Sequence, residues 1–287
     1  MSFLTPDQAI KKINYLTKYH VDEKCFHNYW QNSKEIASTK VSNRWRIVES
    51  SLEKWVNLRN QRIVELSIKD YEECFEFALE LTYSGLSKHG LSGQRSEMQV
   101  VDNVINGILV ERSLKYFLSK RFNIEIVPDW DVHPDHITPQ DIVGVTENGV
   151  QKKPSIFVGV KGSKLKNAYL IADEHGMPGR SADVYIFGRV NLASDHLFRY
   201  LSEHSFFAEV KKKMEVNPAY YKQILTPLRD LYVWICGYVK AGELEQVTEI
   251  PGQDFEGRIK FVKSVANLKN NDEDWNMFCK DLSPNVR

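Results

Sequence analysis

The sequence has no excess of charge of either sign. Lys plus Arg and Asp plus Glu each number 38 in 287 residues, for a formal net charge of zero. A strongly basic chain would point to a polyanionic partner; this one does not, although a local basic groove would not show in the sum. Long apolar runs are missing as well. The longest, Leu231 to Val239, has the length of a strand and falls short of the ~18 residues of a membrane helix, so no membrane partner is expected. The opening residues, MSFLTPDQAIKKINY, lack the apolar core of a signal peptide. Cys25, Cys74, Cys236 and Cys279 form no CxxC pair. Neither a zinc knuckle nor a redox pair is suggested, and buried or idle thiols in a reducing cytoplasm are expected. There is no Walker loop, GxSxG elbow or dinucleotide-binding glycine pattern, which argues against ATP-driven, serine-hydrolase and dinucleotide chemistry. Internal repeats and low-complexity segments are absent too.

What is present is a hydrophobic fraction of 42%, enough for a real core. The first part of the chain reads mainly as helix. Thr5-Pro6-Asp7 is a helix start. Arg44 to Leu66 carries Trp45, Val48, Leu52, Trp55, Leu58 and Ile63 at three- and four-residue spacing, and Ile68 to Leu86 repeats the pattern. The stretch Gly85 to Gly93 is a polar break. A further helix is expected over Ser96 to Lys120, with Glu111 beside its apolar face. Strand-like segments follow at 122–127, 142–145, 156–160, 182–191 and 232–239, with a helix over Asp195 to Lys213. The order predicts an α+β or α/β chain: a mainly helical region 1–95, a mixed core 96–248 and a C-terminal extension 249–287.

Residues 138–164, TPQDIVGVTENGVQKKPSIFVGVKGSK, carry the chemistry. If Asp141 and Lys161 face each other across an antiparallel pair, the hairpin centres on Gln151. Val143 then faces Gly159 and Val145 faces Phe157. Alternation puts Asp141, Gly159, Lys161 and Ser163 on one side. An acid and a lysine at the end of apolar strands are costly to bury unless they pair or bind something.

The arrangement resembles the restriction-endonuclease-like, PD-(D/E)xK, nuclease superfamily over about Val104 to Val190. A helix with an inward glutamate, Glu111, precedes a strand, a hairpin with Asp141 and an x-x-Lys ending at Gly159-Val160-Lys161, and a further strand. The resemblance implies a mixed sheet flanked by helices and Mg²⁺-dependent cleavage of double-stranded DNA. It implies metal held by Asp141, Glu111 and the backbone carbonyl of Val160, with Lys161 acting on the attacking water. A type II restriction enzyme working as a homodimer is the reading it implies. Two departures stand out. Gln140 precedes Asp141 where the family has proline, and Gly159 occupies the place of the family's second acid. Glu111 is the first substitute for that acid, with Asp173, Glu174 and Asp183 behind it.

Ser163, Lys164, Lys166 and Asn167 are phosphate-contacting types directly after the lysine, and expected DNA contacts. The acids and histidines of 129–136 match no ordered zinc motif and read as a polar loop. Trp45, Trp55 and Arg59, with Arg44 and Arg46, could clamp nucleic acid, although the tryptophans fit core spacing. His89 and Arg95 read as linker. Two rival functions remain: a non-cleaving DNA-binding or assembly subunit on the same fold, favoured by Gly159, and a helical interaction protein with an incidental hairpin.

Overall fold

The structure, a computed structural model, describes residues 2–84, 96–131, 140–147, 149–173, 175, 181–219 and 226–283. The chain enters through β1 (Phe3–Leu4), α1 (Pro6–Leu16) and α2 (Glu23–His27), then β2 (Ser38–Val41) and β3 (Arg44–Val48). The helices α3 (Glu49–Asn60) and α4 (Ile68–Tyr83) flank β4 (Ile63–Glu65), and α5 (Glu97–Phe122) is the longest helix described. After it come β5 (Glu125–Pro128), β6 (Ile142–Glu147), β7 (Val150–Lys152), β8 (Val158–Lys164), β9 (Tyr169–Ile171) and β10 (Val184–Val190). Two helices, α6 (His196–Leu201) and α7 (Ala208–Val216), lead to β11 (Tyr232–Lys240). The last elements are β12 (Glu245–Val247), β13 (Glu249–Ile250), β14 (Gln253–Asp254), β15 (Lys260–Ser264) and α8 (Asp272–Leu282). The fold is α+β, as the sequence pattern predicts.

The centre is a four-stranded sheet in the order β4-β11-β10-β8, with β8 and β10 parallel and the other pairs antiparallel. Strand alternation gives it two apolar faces. Val158, Val160, Val184, Ile186 and Val190 face α4, α5 and α8 in one core. Tyr185, Phe187, Trp234 and Cys236 face Ala9, Ile13, Phe26, Tyr29, Trp30 and Trp55 in the other. The N-terminal region is therefore the second layer of the sheet. At its centre Arg189 of β10, fully buried, pairs with Glu35 at 2.8 Å.

Several elements depart from expectation. Arg44–Val48 is a strand, not the start of a helix, since its β-branched and aromatic residues pair with β1 and β2. The helix expected over Asp195 to Lys213 breaks after α6, where the Ser202 hydroxyl donates to the carbonyl of Arg199. The larger correction concerns the hairpin. β6 turns back onto β7, so Val145 faces Lys152 and Thr146 faces Gln151. Gly149 stands in the connection at φ 76°, a left-handed conformation that glycine adopts without strain. β8 instead pairs parallel with β10, and Lys161 faces Phe187. Parallel pairing joins segments distant in sequence, so the tight local turn had to close on another strand.

Two glycines set how closely α5 approaches this sheet. Gly162 and Gly188 are register partners on β8 and β10. A Cβ on Gly162 would lie 2.2 Å from the Asn106 carbonyl oxygen, and one on Gly188 2.5 Å from Val110 Cγ1. Gly162→Ala is expected to force the helix off the sheet and destabilise the protein by about 1–3 kcal/mol, the usual range for overpacking. A urea midpoint equal to that of the wild type would refute this close-contact role.

Candidate functional site

Glu111 enters the protein on α5. Ser96 caps the helix start by accepting the N–H of Gln99, and Asn123 ends it in the left-handed conformation. The apolar stripe containing Ile105, Ile108, Leu109 and Leu114 turns Glu111 inward with it, leaving the residue 7% exposed. Its carboxylate accepts a hydrogen bond from Trp130 Nε1 at 2.9 Å. Burial, and next the negative charge of Asp141, push the Glu111 carboxyl well above the usual range, while the Trp130 hydrogen bond and the Lys161 cation oppose the rise. Asp129 adds to the negative field.

Asp141 stands immediately before β6 and ties it to the free edge of β8. Its N–H donates to the carbonyl of Val158 at 2.9 Å, and its Oδ2 accepts the N–H of Val160 at 2.5 Å. In an extended strand, a residue's N–H and C=O point to the same edge, so the Val160 carbonyl also faces the Asp141 side. Asp129 N–H donates to the Asp141 carbonyl at 3.1 Å and extends the pairing of β5 with β6. Glu111, Asp141, the Val160 edge and Lys161 thus come together from α5, the start of β6 and β8. Asp141 and Lys161 converge without being partners in a ladder.

The place of the missing acid is filled. A Cβ on Gly159 would meet two ring carbons of Tyr185 at 3.0 Å. The Tyr185 ring therefore takes the space that a strand carboxylate would enter. Of the other substitutes, Asp173 pairs with Lys260 at 2.7 Å and Asp183 Oδ2 accepts the N–H of Phe157 at 2.8 Å, so both are engaged elsewhere. Glu174 lies outside the described residues, as do His89, Arg95, His133, Asp135 and His136. Among the described residues, no group of three or more His, Cys, Asp or Glu side chains is assembled to hold a metal.

The predicted phosphate contacts lie at the end of β8. Lys164 pairs with Asp102 at 3.3 Å, Asn167 donates to Ser163, and Lys166 is exposed. Lys164 and Lys166, with Arg199 and Arg229, line a cleft of about 810 Å³ at the carboxyl ends of the two parallel strands. Asp22 and Asp230 line it too, leaving cations in the majority. Trp55 and Arg59 are core residues, whereas Trp45 is 36% exposed under Lys40.

Trp130 has no sequence signal of its own. Besides bonding Glu111, its ring lies 4.5 Å beneath the Arg112 guanidinium, which pairs with Asp70 at 3.0 Å. Asp70 in turn caps α4. Trp130 is thus a positioning residue clamped between the Glu111 carboxylate and a fixed cation.

No family model matches this chain, and neither a curated protein nor a solved structure is detectably similar to it.

A carboxyl with a raised pKa in the folded state contributes most to stability below its ordinary value of 4.5, and that contribution is lost as pH rises through the folded pKa. Glu111→Gln removes the buried charge. It is expected to be more stable than the wild type at neutral and alkaline pH, with the advantage shrinking on acidification. Urea midpoints measured across pH test this, and a difference that does not vary with pH would contradict it.

Proposed function

We propose that the chain is a Mg²⁺-dependent DNA endonuclease that hydrolyses phosphodiester bonds at the Glu111–Asp141–Lys161 site. One observation carries the reading: two carboxylates, a backbone carbonyl edge and a lysine converge from three separate elements at the edge of β8. Asp141 also ties β6 to β8, but a second, buried acid beside it is costly to the fold.

The donor set fits a hard cation. Asp141, Glu111 and the Val160 carbonyl offer only oxygens, and Mg²⁺ is commonly held by one or two carboxylates with water completing the shell. A second positive charge beside Glu111 would also offset the repulsion from Asp141. When bound, the metal would supply charge neutralisation at the phosphate and an acidified water. Lys161 would orient that water and stabilise charge growing on the phosphate oxygens as the water oxygen attacks phosphorus and the ester oxygen leaves. Trp130 would hold Glu111 at the required angle.

The cleft at the carboxyl ends of β8 and β10 supports the substrate class. Lys164 lies three residues beyond Lys161, about 10 Å along the strand. It can contact a phosphate near the scissile one, with Lys166, Arg199 and Arg229 beyond it. In this reading two copies act together, one on each DNA strand, as in a type II restriction enzyme. The second reading is a subunit that binds DNA without cutting it, favoured by the Tyr185 ring against Gly159, which leaves the site one acid short.

Incubation of supercoiled plasmids of varied sequence and methylation with the protein tests the proposal. Nicking or linearisation is expected with Mg²⁺ and not with chelator. Asp141→Ala and Lys161→Ala should each lower the rate by at least about 100-fold, within the range for lost metal or acid–base assistance. DNA retention without cutting would select the non-cleaving reading, and neither activity would leave both without support.

A further inference from the structure

A smaller cavity, about 260 Å³, lies on the opposite face of the central sheet from Glu111, between α3, β11 and the segment preceding α8. Arg62 lines it and is 2% exposed. One guanidinium nitrogen, Nη1, donates to the carbonyl of Leu58 at 3.0 Å, while the buried Nε has no acceptor. Among the described residues no carboxylate forms an ion pair with it. Burial, and then the cation of Arg121, lower its pKa to about 10 against a smaller opposing pull from Asp272 and Asp274, which still leaves it charged at neutral pH. A buried guanidinium with no carboxylate in contact is costly, and a buried N–H without an acceptor is rare in a folded protein.

Glu35 also lines the cavity but does not neutralise Arg62. Both of its oxygens are taken by Arg189, and it further accepts from Trp55 and Ser33. The other polar groups facing the cavity are donors. Lys54 is exposed and contributes an ammonium. The Ser51 oxygen accepts the N–H of Ala37 at 2.9 Å, which leaves its proton for a ligand. Asn270 offers its side-chain amide. Trp55 and Trp234 form apolar walls. Two cations and two neutral donors converging on one small space suit a phosphate, which accepts from a guanidinium fork and from point donors at once. The volume lies below the ~300–1,000 Å³ of drug-sized sites, so the ligand is small.

We propose that this cavity binds the phosphate group of a small ligand, anchored by Arg62 and Lys54 with Ser51 and Asn270 as supporting donors. The site is separate from the Glu111 centre and does not rest on the nuclease reading. Titration calorimetry on the full chain, with inorganic phosphate and adenosine monophosphate as probes at constant ionic strength, tests it. Saturable binding of at least one probe is expected. Lys54→Ala and Arg62→Gln should each weaken it at least about tenfold, the loss of one charge-assisted hydrogen bond. Asp141→Ala should leave it unchanged. Equal affinity for the two probes assigns free phosphate, and tighter monophosphate binding assigns a phosphate ester. Both support the site. Lys54 is exposed, so its variant tests the site even if Arg62→Gln fails to fold. Absence of saturable binding, or binding indifferent to Lys54→Ala, overturns the proposal. So does a loss seen in Lys166→Ala instead, which would place the phosphate in the cleft beyond β8.

Discussion

The molecule is organised around a charge placed where no water reaches. Arg189 sits near the carboxyl end of β10 with its guanidinium fully buried, and burial lowers its pKa. Glu35 outweighs that burial and raises the Arg189 pKa, accepting two parallel hydrogen bonds at 2.8 and 3.0 Å. The flat faces of the guanidinium lie 4.7 Å from the Tyr29 ring and 4.8 Å from the Trp234 ring. Its Nε donates to the carbonyl of Asn167 at 2.6 Å. One side chain therefore joins the N-terminal layer, two central strands and the turn after β8. Removing a single partner from such a pair typically costs 3–5 kcal/mol, because the other charge stays buried. Such a pair is weak evidence for net stability, since replacing both members with well-packed apolar residues is often neutral or stabilising.

The same constraint reaches the candidate site through β8. The Asn167 turn is held by Arg189, and the strand leading into it carries Val160, Lys161 and Lys164. On the opposite face, Gly162 and Gly188 let α5 pack at backbone distance, which sets the depth of Glu111 relative to the edge of β8. The site thus depends on packing from both faces, one fixing the strand and the other the helix. Its members gain nothing from each other as core residues. Glu111 and Asp141 repel, and the Trp130 hydrogen bond and the Lys161 cation act against this at Glu111.

Some of this was legible in the sequence and some was not, for physical reasons. The long helix α5 and the inward turn of Glu111 follow from local spacing, which a helix reports directly. The strands β8, β10 and β11 are short β-branched runs and were equally readable. Their partners were not, because parallel pairing of β8 with β10 is decided between segments some twenty residues apart, whereas the Gly149 turn competes locally. Asp141 and Lys161 were singled out by a register the structure does not have. They converge because Asp141 bonds the free edge of β8, not because they face each other. Trp130 could not be found at all, since its role rests on Arg112 and Asp70 from two other helices. Arg44–Val48 shows the limit of periodicity: in five residues a 3.6 and a 2.0 repeat place the same apolar residues almost equally well.

The filling of the Gly159 position by Tyr185 has a consequence for the proposed chemistry. A site with a third carboxylate would bind a divalent cation with excess negative charge. Here the proposed ligands are Asp141 and Glu111, with Asp129 adding to the negative field, and burial and Asp141 push the Glu111 carboxyl up. Under the endonuclease reading a cation and protons would compete for Glu111, so metal affinity would weaken on acidification. The proposed DNA contacts at Lys164, Lys166, Arg199 and Arg229 would lose strength with salt. Under the endonuclease reading, pH acts on the metal step and salt on the DNA step. A subunit that only binds DNA would keep the salt dependence and have no use for the costly pairing of Glu111 with Asp141.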